Sequence, residues 1–267
     1  MITKNNWISV SVDPEFNVTL SPYKFEAISF QAAVDLTVSE ISKNHSNLYL
    51  ALSGGYDSEF ILRAFHKAGV AITPVIVCFG NEKENEYALK VCEELSIIPV
   101  RINLSSDEFI HYFFTYIHKN RFKSFGYHST QVFFAAEYAS ANNGTLITGN
   151  HLCGDGDEII EDSEFANMNE WDFYLDFTHP HIPHIDLFLY TPELAYAMLP
   201  QTTATGVCWQ DYKHNLFGIE HRTKMRAKYP KDVRDDLRSM WAEMQYEYSP
   251  YSWTRSEINS IFKINSV

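Results

Sequence analysis

The sequence predicts an α/β fold, a parallel sheet with helices on both faces, followed by a helical C-terminal part. Three observations predict it. Short apolar runs alternate with amphipathic stretches from residue 29 to residue 148. Three of the apolar runs end at glycines, at Gly54-Gly55, at Gly80 and at Gly149. After residue 165 the alternation stops, and the remaining pattern is mostly helical.

Taken in order, residues 6–20 read as a β-hairpin, with Trp7, Val10 and Val12 in one arm and Phe16 to Leu20 in the other. Residues 29–43 place Phe30, Ala33, Val34, Leu36, Val38 and Ile41 at helical spacing. A strand follows at 47–52, then a turn, then a helix that starts at Asp57, runs to Ala68 and closes on Gly69. Residues 72–79 form a second strand, with Pro74 near its start and Gly80 at its end. Residues 82–95 put Ala88, Val91, Cys92 and Leu95 on one helical face. A strand at 97–103 leads to Ser105-Ser-Asp-Glu108, which has the form of a capping box for a helix over 107–118. A helix at 129–141, the turn Asn143-Gly144 and a strand at 145–148 complete the series. Later, Thr191-Pro192-Glu193 opens a helix with a threonine cap and a first-turn proline, and 232–247 reads as another.

Composition narrows the function. A chain of 267 residues with 45% hydrophobic residues has ample core for one large domain or two modest ones. No apolar run reaches 18 residues, and the N-terminus lacks a signal-peptide pattern, so a cytoplasmic protein without a membrane span is expected. The net charge of −13, with no dense basic run before Arg222, disfavours a nucleic-acid substrate and favours a small molecule. Cys78, Cys92, Cys153 and Cys208 form no CxxC pair, and the first two read as core. His179, His181 and His184 are separated by prolines that scatter the ring directions, so they read as exposed or packed side chains rather than zinc ligands. The aromatic run from Phe109 to Tyr116 reads as core packing.

The chemistry concentrates in Ser53-Gly54-Gly55-Tyr56-Asp57-Ser58, between the strand at 47–52 and its helix. The glycines permit close backbone approach to a ligand. The helix start presents amide N–H groups and the positive end of a dipole to an anion. Ser53 and Ser58 add hydroxyl donors, and the Asp57 carboxylate suits a magnesium ion held against phosphate. No GxxxxGK[ST] occurs, which excludes the lysine-bearing nucleoside-triphosphatase loop. The second candidate stretch follows the strand at 145–148: Gly149, then Gly154-Asp155-Gly156-Asp157-Glu158. Its carboxylates and glycines fit a magnesium–pyrophosphate site, and a solvated acidic loop is the other reading.

The SGGxDS pattern at Ser53–Ser58 resembles that of the PP-loop ATP pyrophosphatases. Within them the chain is similar to the synthetase domain of asparagine synthetases. Gly154-Asp155-Gly156-Asp157-Glu158 is similar to that family's S-G-E-G-x-D-E, with aspartate for glutamate and one residue deleted. Glu86-Tyr87-Ala88 with Val91 to Leu95, Phe188 to Leu194 with Leu199-Pro200, and Arg222-Thr223-Lys224 resemble further segments of it. The resemblance runs from about residue 30 to residue 230.

What the resemblance implies is a HUP-like adenine-nucleotide fold and an ATP-dependent ligase. The loop would grip the β- and γ-phosphates, so that ATP is split into AMP and pyrophosphate. A carboxylate or carbonyl-type oxygen of the acceptor, a small carboxylate or a base, would attack the α-phosphorus, and an amine or ammonia would displace AMP. Ser53, Gly54, Gly55, Ser58 and Gly149 would hold the phosphates, and Asp57 and Asp157 the magnesium. Lys224 would steady charge at the α-phosphorus, and Asp155 or Glu158 would act as base or orient the amine. Adenine would rest near Val77, Cys78 and Phe79. The family's glutaminase domain, roughly 200 residues, has no counterpart in the 52 residues before Ser53. A separate glutaminase is therefore an expected partner. The expected organisation is an N-terminal β-hairpin extension (1–28), the ATP-binding α/β domain (29–165) and a mainly helical region completing the substrate site (166–267). Two alternatives are a PP-loop enzyme aminating or thiolating a nucleotide or base, and a degenerate nucleotide-binding regulatory module.

Overall fold

A computed structural model of the chain describes residues 2–3, 5–11, 16–26, 28–80, 82–105, 107–109, 111–112, 115, 127–150, 152, 166–168, 173, 175–176, 180–199, 215–219 and 251–265. At its centre five parallel strands form one sheet. They are β5 (Leu48–Ala51), β6 (Thr73–Cys78), β7 (Val100–Asn103), β8 (Thr145–Thr148) and β10 (His184–Asp186). Their order is β10-β8-β5-β6-β7. From β5 the chain steps outward through β6 to β7, then returns to place β8 on the other side of β5. That reversal between β5 and β8 is the topological switch point, where open α/β sheets bind ligands at the strands' carboxyl ends.

Both faces of the sheet are buried, as expected of a parallel sheet. Alternate residues divide between two cores. Leu48, Leu50, Ile76, Ile147 and Ile185 point toward α1 (Phe30–Asn44), α2 (Tyr56–Lys67) and α3 (Glu82–Glu94). Val75, Val77 and Leu146 point the other way, toward α4 (Tyr127–Ala141) with its Phe133, Ala136 and Ala139. Helix α1 starts at Ser29, whose hydroxyl accepts from the Ala32 N–H at 3.2 Å, and it buries Phe30, Ala33, Val34, Thr37, Val38 and Ile41. That three-and-four spacing is one helical face. The α5 (Leu187–Tyr190) and α6 (Pro192–Met198) helices follow β10 directly, and the Thr191 cap of α6 bonds the Thr37 hydroxyl of α1 at 2.6 Å. The expected threonine cap thus also ties two helices together.

The expected hairpin forms from β2 (Ile8–Ser11) and β3 (Asn17–Leu20), with β1 (Ile2–Thr3) as a third antiparallel strand. Among the described residues after 165, three strands besides β10 went unread in the sequence. These are β9 (Ala166–Met168), its partner β11 (Tyr251–Trp253), and β12 (Phe262–Asn265), which pairs in parallel with β4 (Tyr23–Glu26). Each of the four has only three or four residues, too few for an alternation to show. They exist because a distant strand supplies the hydrogen-bond partners. Helix 232–247 falls outside the described residues.

Among the described residues two capping boxes are formed. The Ser105 hydroxyl accepts from the Glu108 N–H at 3.2 Å while the Glu108 carboxylate accepts from the Ser105 N–H at 2.7 Å, as read from the sequence. Thr254 and Glu257 repeat the device at the start of α7 (Arg255–Ile261). The backbone N–H and then the hydroxyl of the cap residue hold both carboxyls below their ordinary value of 4.5. A depressed carboxyl contributes stability above its unfolded-state pKa and loses it as pH falls through the folded one. Amide exchange at Ser105 and Thr254, corrected for intrinsic rates, is therefore expected to be constant above pH 5 and to accelerate below pH 4. Protection that stays unchanged when both carboxyls are protonated would contradict the caps.

Cys92 is buried in the α2–α3 core, and burial pushes its thiol up to about 11. The thiolate is the reactive form. Peptide mapping after iodoacetamide at pH 8 is expected to leave Cys92 unlabelled in native protein and labelled in denaturant.

Candidate active site

Strand β5 ends at Ala51, and the Leu52 N–H still reaches the Val75 carbonyl of β6 at 2.9 Å. Ser53 is therefore launched from the edge of the paired ladder. Gly54 then takes φ +77, a left-handed conformation that a side chain would strain. The same residue lies flat against the start of α3. A Cβ there would sit 2.1 Å from the Glu84 carbonyl oxygen, so only glycine fits. Gly55 is the N-cap of α2 in extended conformation and makes no side-chain cap bond.

Three hydrogen bonds set the loop's shape. The Gly55 N–H donates to Ser53 Oγ at 3.3 Å, and Ser58 Oγ donates to the Gly55 carbonyl at 3.1 Å. The two hydroxyls meet at 3.2 Å, with Ser53 as donor once Ser58 has given its proton to Gly55. The ring starts and ends on Gly55 and holds its peptide groups in place. Each hydroxyl can rotate to a phosphate oxygen, exchanging an internal bond for a charge-assisted one.

The second predicted strand end comes to the first. Gly149 follows β8, and a Cβ on it would lie 3.1 Å from Asp57 Cβ and 3.4 Å from Ile61 Cδ1. Thr148, buried just before it, bonds the buried Asp186 carboxylate at the end of β10. Asp186 is a residue the sequence reading missed, and no local signal marks it. It holds the ends of β8 and β10 together, and thereby the approach of Gly149 to Asp57.

The charges around the loop are acidic. Asp57 and Glu59 occupy the first turn of α2. Glu59 is buried and accepts from Arg63 Nε at 2.8 Å, while Arg63 also reaches the Glu94 carboxylate at 2.6 Å. Burial draws the Arg63 guanidinium down, but the Glu94 and Glu59 carboxylates together leave it raised, so its charge is fixed and already matched. Among the described residues, what the loop offers an anion is therefore amide N–H groups, the Ser53 and Ser58 hydroxyls and the helix dipole. The half-buried Asp57 carboxylate would repel a phosphate bound at this loop unless a divalent cation such as magnesium lay between them. Asp57 is the one predicted magnesium ligand among the described residues, which hold no group of three or more His, Cys, Asp or Glu side chains placed for a metal ion.

Not every predicted site residue joins this cluster. Val77 and Phe79 have side chains buried on the α4 face of the sheet, and Phe79 stacks on Phe109 at 3.9 Å and 6°. Only the half-buried Cys78 of that trio faces the α2 side. Adenine near this strand end would meet backbone and Cys78, not the two apolar side chains. Phe109 itself is core, as the sequence predicted. His184 is packed against Asp176, Nε2 to Oδ1 3.3 Å, with Nδ1 3.1 Å from the Ile182 carbonyl. Asp155, Asp157, Glu158 and Lys224 lie outside the described residues.

The fold and the loop define an open parallel α/β protein with a glycine-bearing strand-to-helix turn at its switch point. No protein-family model matches the chain. No curated protein matches it either. Among solved structures it is similar to the NH3-dependent NAD synthetase from Campylobacter jejuni subsp. jejuni NCTC 11168 in complex with the nitrate ion. That likeness has 13% identity and a TM-score of 0.42, over 81% of this chain and 85% of that one. It is also similar to NMN synthetase from Francisella tularensis, with 17% identity and a TM-score of 0.38, over 84% of this chain and 99% of that one. At these values neither likeness bears on what this chain binds or does.

Proposed function

We propose that the protein is an ATP-dependent adenylating ligase that releases pyrophosphate and joins an amine or ammonia to a small-molecule acceptor. One observation carries the reading. The SGGYDS loop, shaped by the Ser53–Gly55–Ser58 ring, stands at the switch point with Gly149 of the neighbouring strand against Asp57. A strand end, a left-handed glycine and a helix N-terminus meet there.

On this reading the pyrophosphate end of ATP sits on the amides and hydroxyls of Ser53 to Ser58. Asp57 and, by the resemblance to asparagine synthetases, Asp157 would hold a magnesium ion, which would supply positive charge against the pyrophosphate. An oxygen of the acceptor attacks the α-phosphorus, the bond to pyrophosphate breaks, and an acyl or carbonyl-derived adenylate forms. An amine then attacks the activated carbon and AMP departs. Lys224 steadies the α-phosphorus charge, and Asp155 or Glu158 takes the amine proton. A glutaminase on a separate chain, or free ammonia, supplies nitrogen. The segment 166–267 completes the acceptor site.

The test is product identity. Purified protein with ATP, magnesium, an ammonium salt and pooled small carboxylates is followed by phosphorus NMR. AMP and pyrophosphate are expected. ADP and phosphate, or no turnover with ATP bound, would refute the ligase reading.

A further inference from the structure

Tyr56 occupies the open position of the SGGxDS loop, between the N-cap Gly55 and Asp57. It is the first residue of α2, so its backbone belongs to the turn that would face phosphate. Its ring is only half-buried against the core. Its hydroxyl donates to the Ile219 carbonyl at 3.1 Å, across 163 residues of sequence.

The acceptor is itself held to α2. Phe217 meets Phe60 edge-on at 5.2 Å, and Lys67 Nζ lies 5.8 Å over the Phe217 ring. Gly218 then takes φ +64, which turns the chain so that Ile219, almost fully buried, presents its carbonyl to Tyr56. Residues 215–219 thus lie along α2 and touch it at Phe60, at Lys67 and, through the hydroxyl, at its first residue. The apolar contacts secure the segment to the helix body. The hydroxyl bond alone among these contacts reaches the loop.

We infer that Tyr56 is a positioning residue of the phosphate loop, its hydroxyl bond to Ile219 setting the first turn of α2 for the nucleotide. The inference rests on the proposed ATP site. A ring that only filled apolar space would be replaced by phenylalanine without effect, because phenylalanine keeps every packing contact and loses only the donor.

The experiment measures magnesium–ATP binding by calorimetry for wild type, Tyr56→Phe, Gly218→Ala and the double variant, with thermal stability of each without nucleotide. Gly218→Ala perturbs the acceptor side independently: a Cβ there meets nothing within 4 Å, so the left-handed backbone alone is strained. Tyr56→Phe is expected to weaken ATP about 3- to 10-fold, the size of one neutral hydrogen bond, with the unliganded melting temperature within about 2 °C of wild type. Gly218→Ala should weaken ATP by a similar factor, and the double variant should bind no more weakly than the weaker single one. Unchanged ATP affinity in Tyr56→Phe, or factors that multiply in the double variant, would overturn the inference. So would an affinity loss that merely tracks a fall in stability. Wild type that binds no ATP would overturn the proposed function and this inference together. Wild-type binding with an indifferent Tyr56→Phe would overturn the inference alone.

Discussion

Asp57→Ala is expected to lower ATP-dependent pyrophosphate release by about 10²- to 10³-fold, the scale on which loss of one electrostatic catalytic group is felt. Its fold should be nearly untouched. The substitution keeps Cβ, the atom nearest Gly149, so the close approach of the two strand ends is preserved. What goes is a carboxylate in the first turn of α2, where negative charge favours the helix by about 0.3–1 kcal/mol. The melting temperature should therefore move by only a few degrees. Magnesium dependence provides the sharper readout. If Asp57 holds the ion, the alanine variant should need much more magnesium to reach any residual rate, and Asp57→Asn should behave like alanine because the charge is what counts. A variant with wild-type magnesium response would remove Asp57 from the metal site.

Gly54→Ala should act through the backbone and cost more stability than any other change in the loop. The new Cβ would meet the Glu84 carbonyl oxygen at 2.1 Å, and that oxygen belongs to the main chain of α3 and cannot rotate away. The residue would also have to hold φ +77. Left-handed strain costs about 1–3 kcal/mol, and overpacking about as much again. Together these predict a melting temperature lower by roughly 5–15 °C for a domain of this size, with ATP binding abolished because α3 and the loop can no longer touch. Gly55→Ala is the control. Gly55 has an ordinary extended backbone at φ −77, and its Cβ would approach only Ser53 Oγ, at 3.2 Å. That variant should melt close to wild type yet bind ATP less well, since the displaced Ser53 hydroxyl breaks the hydrogen-bonded ring. Equal stability losses in the two variants would show that the glycines matter for general flexibility and not for their separate contacts.

Much of this was legible in the chain because the governing interactions are local. The strand, the two glycines and the helix start at Ser53–Ser58 are consecutive residues, and their conformations follow from glycine's freedom and the helix's need for an N-terminus. The Ser105–Glu108 box and the Thr191 cap were equally readable, since each spans three residues. The Thr254–Glu257 box carries the same Thr-x-x-Glu signal and could have been found with it. The side-chain directions of Val77 and Phe79 were not legible for a different reason. Being at a strand's end does not say which way its side chains point, and the pleat turns those two into the α4 core.

The sequence by itself determined the alternation of strands and helices, the parallel sheet and the glycine-bearing loop before α2, because period, turn chemistry and helix caps act over a few residues. Only the tertiary structure decided the order β10-β8-β5-β6-β7, and with it the meeting of Gly149 with Asp57. It also decided that Gly54 seats on Glu84, that Asp186 closes on Thr148, and that Tyr56 reaches Ile219. Those pairs are separated by 30 to 163 residues. No local period encodes them. They are fixed by which strands share a ladder, and strand pairing is settled by burial summed over the whole sheet.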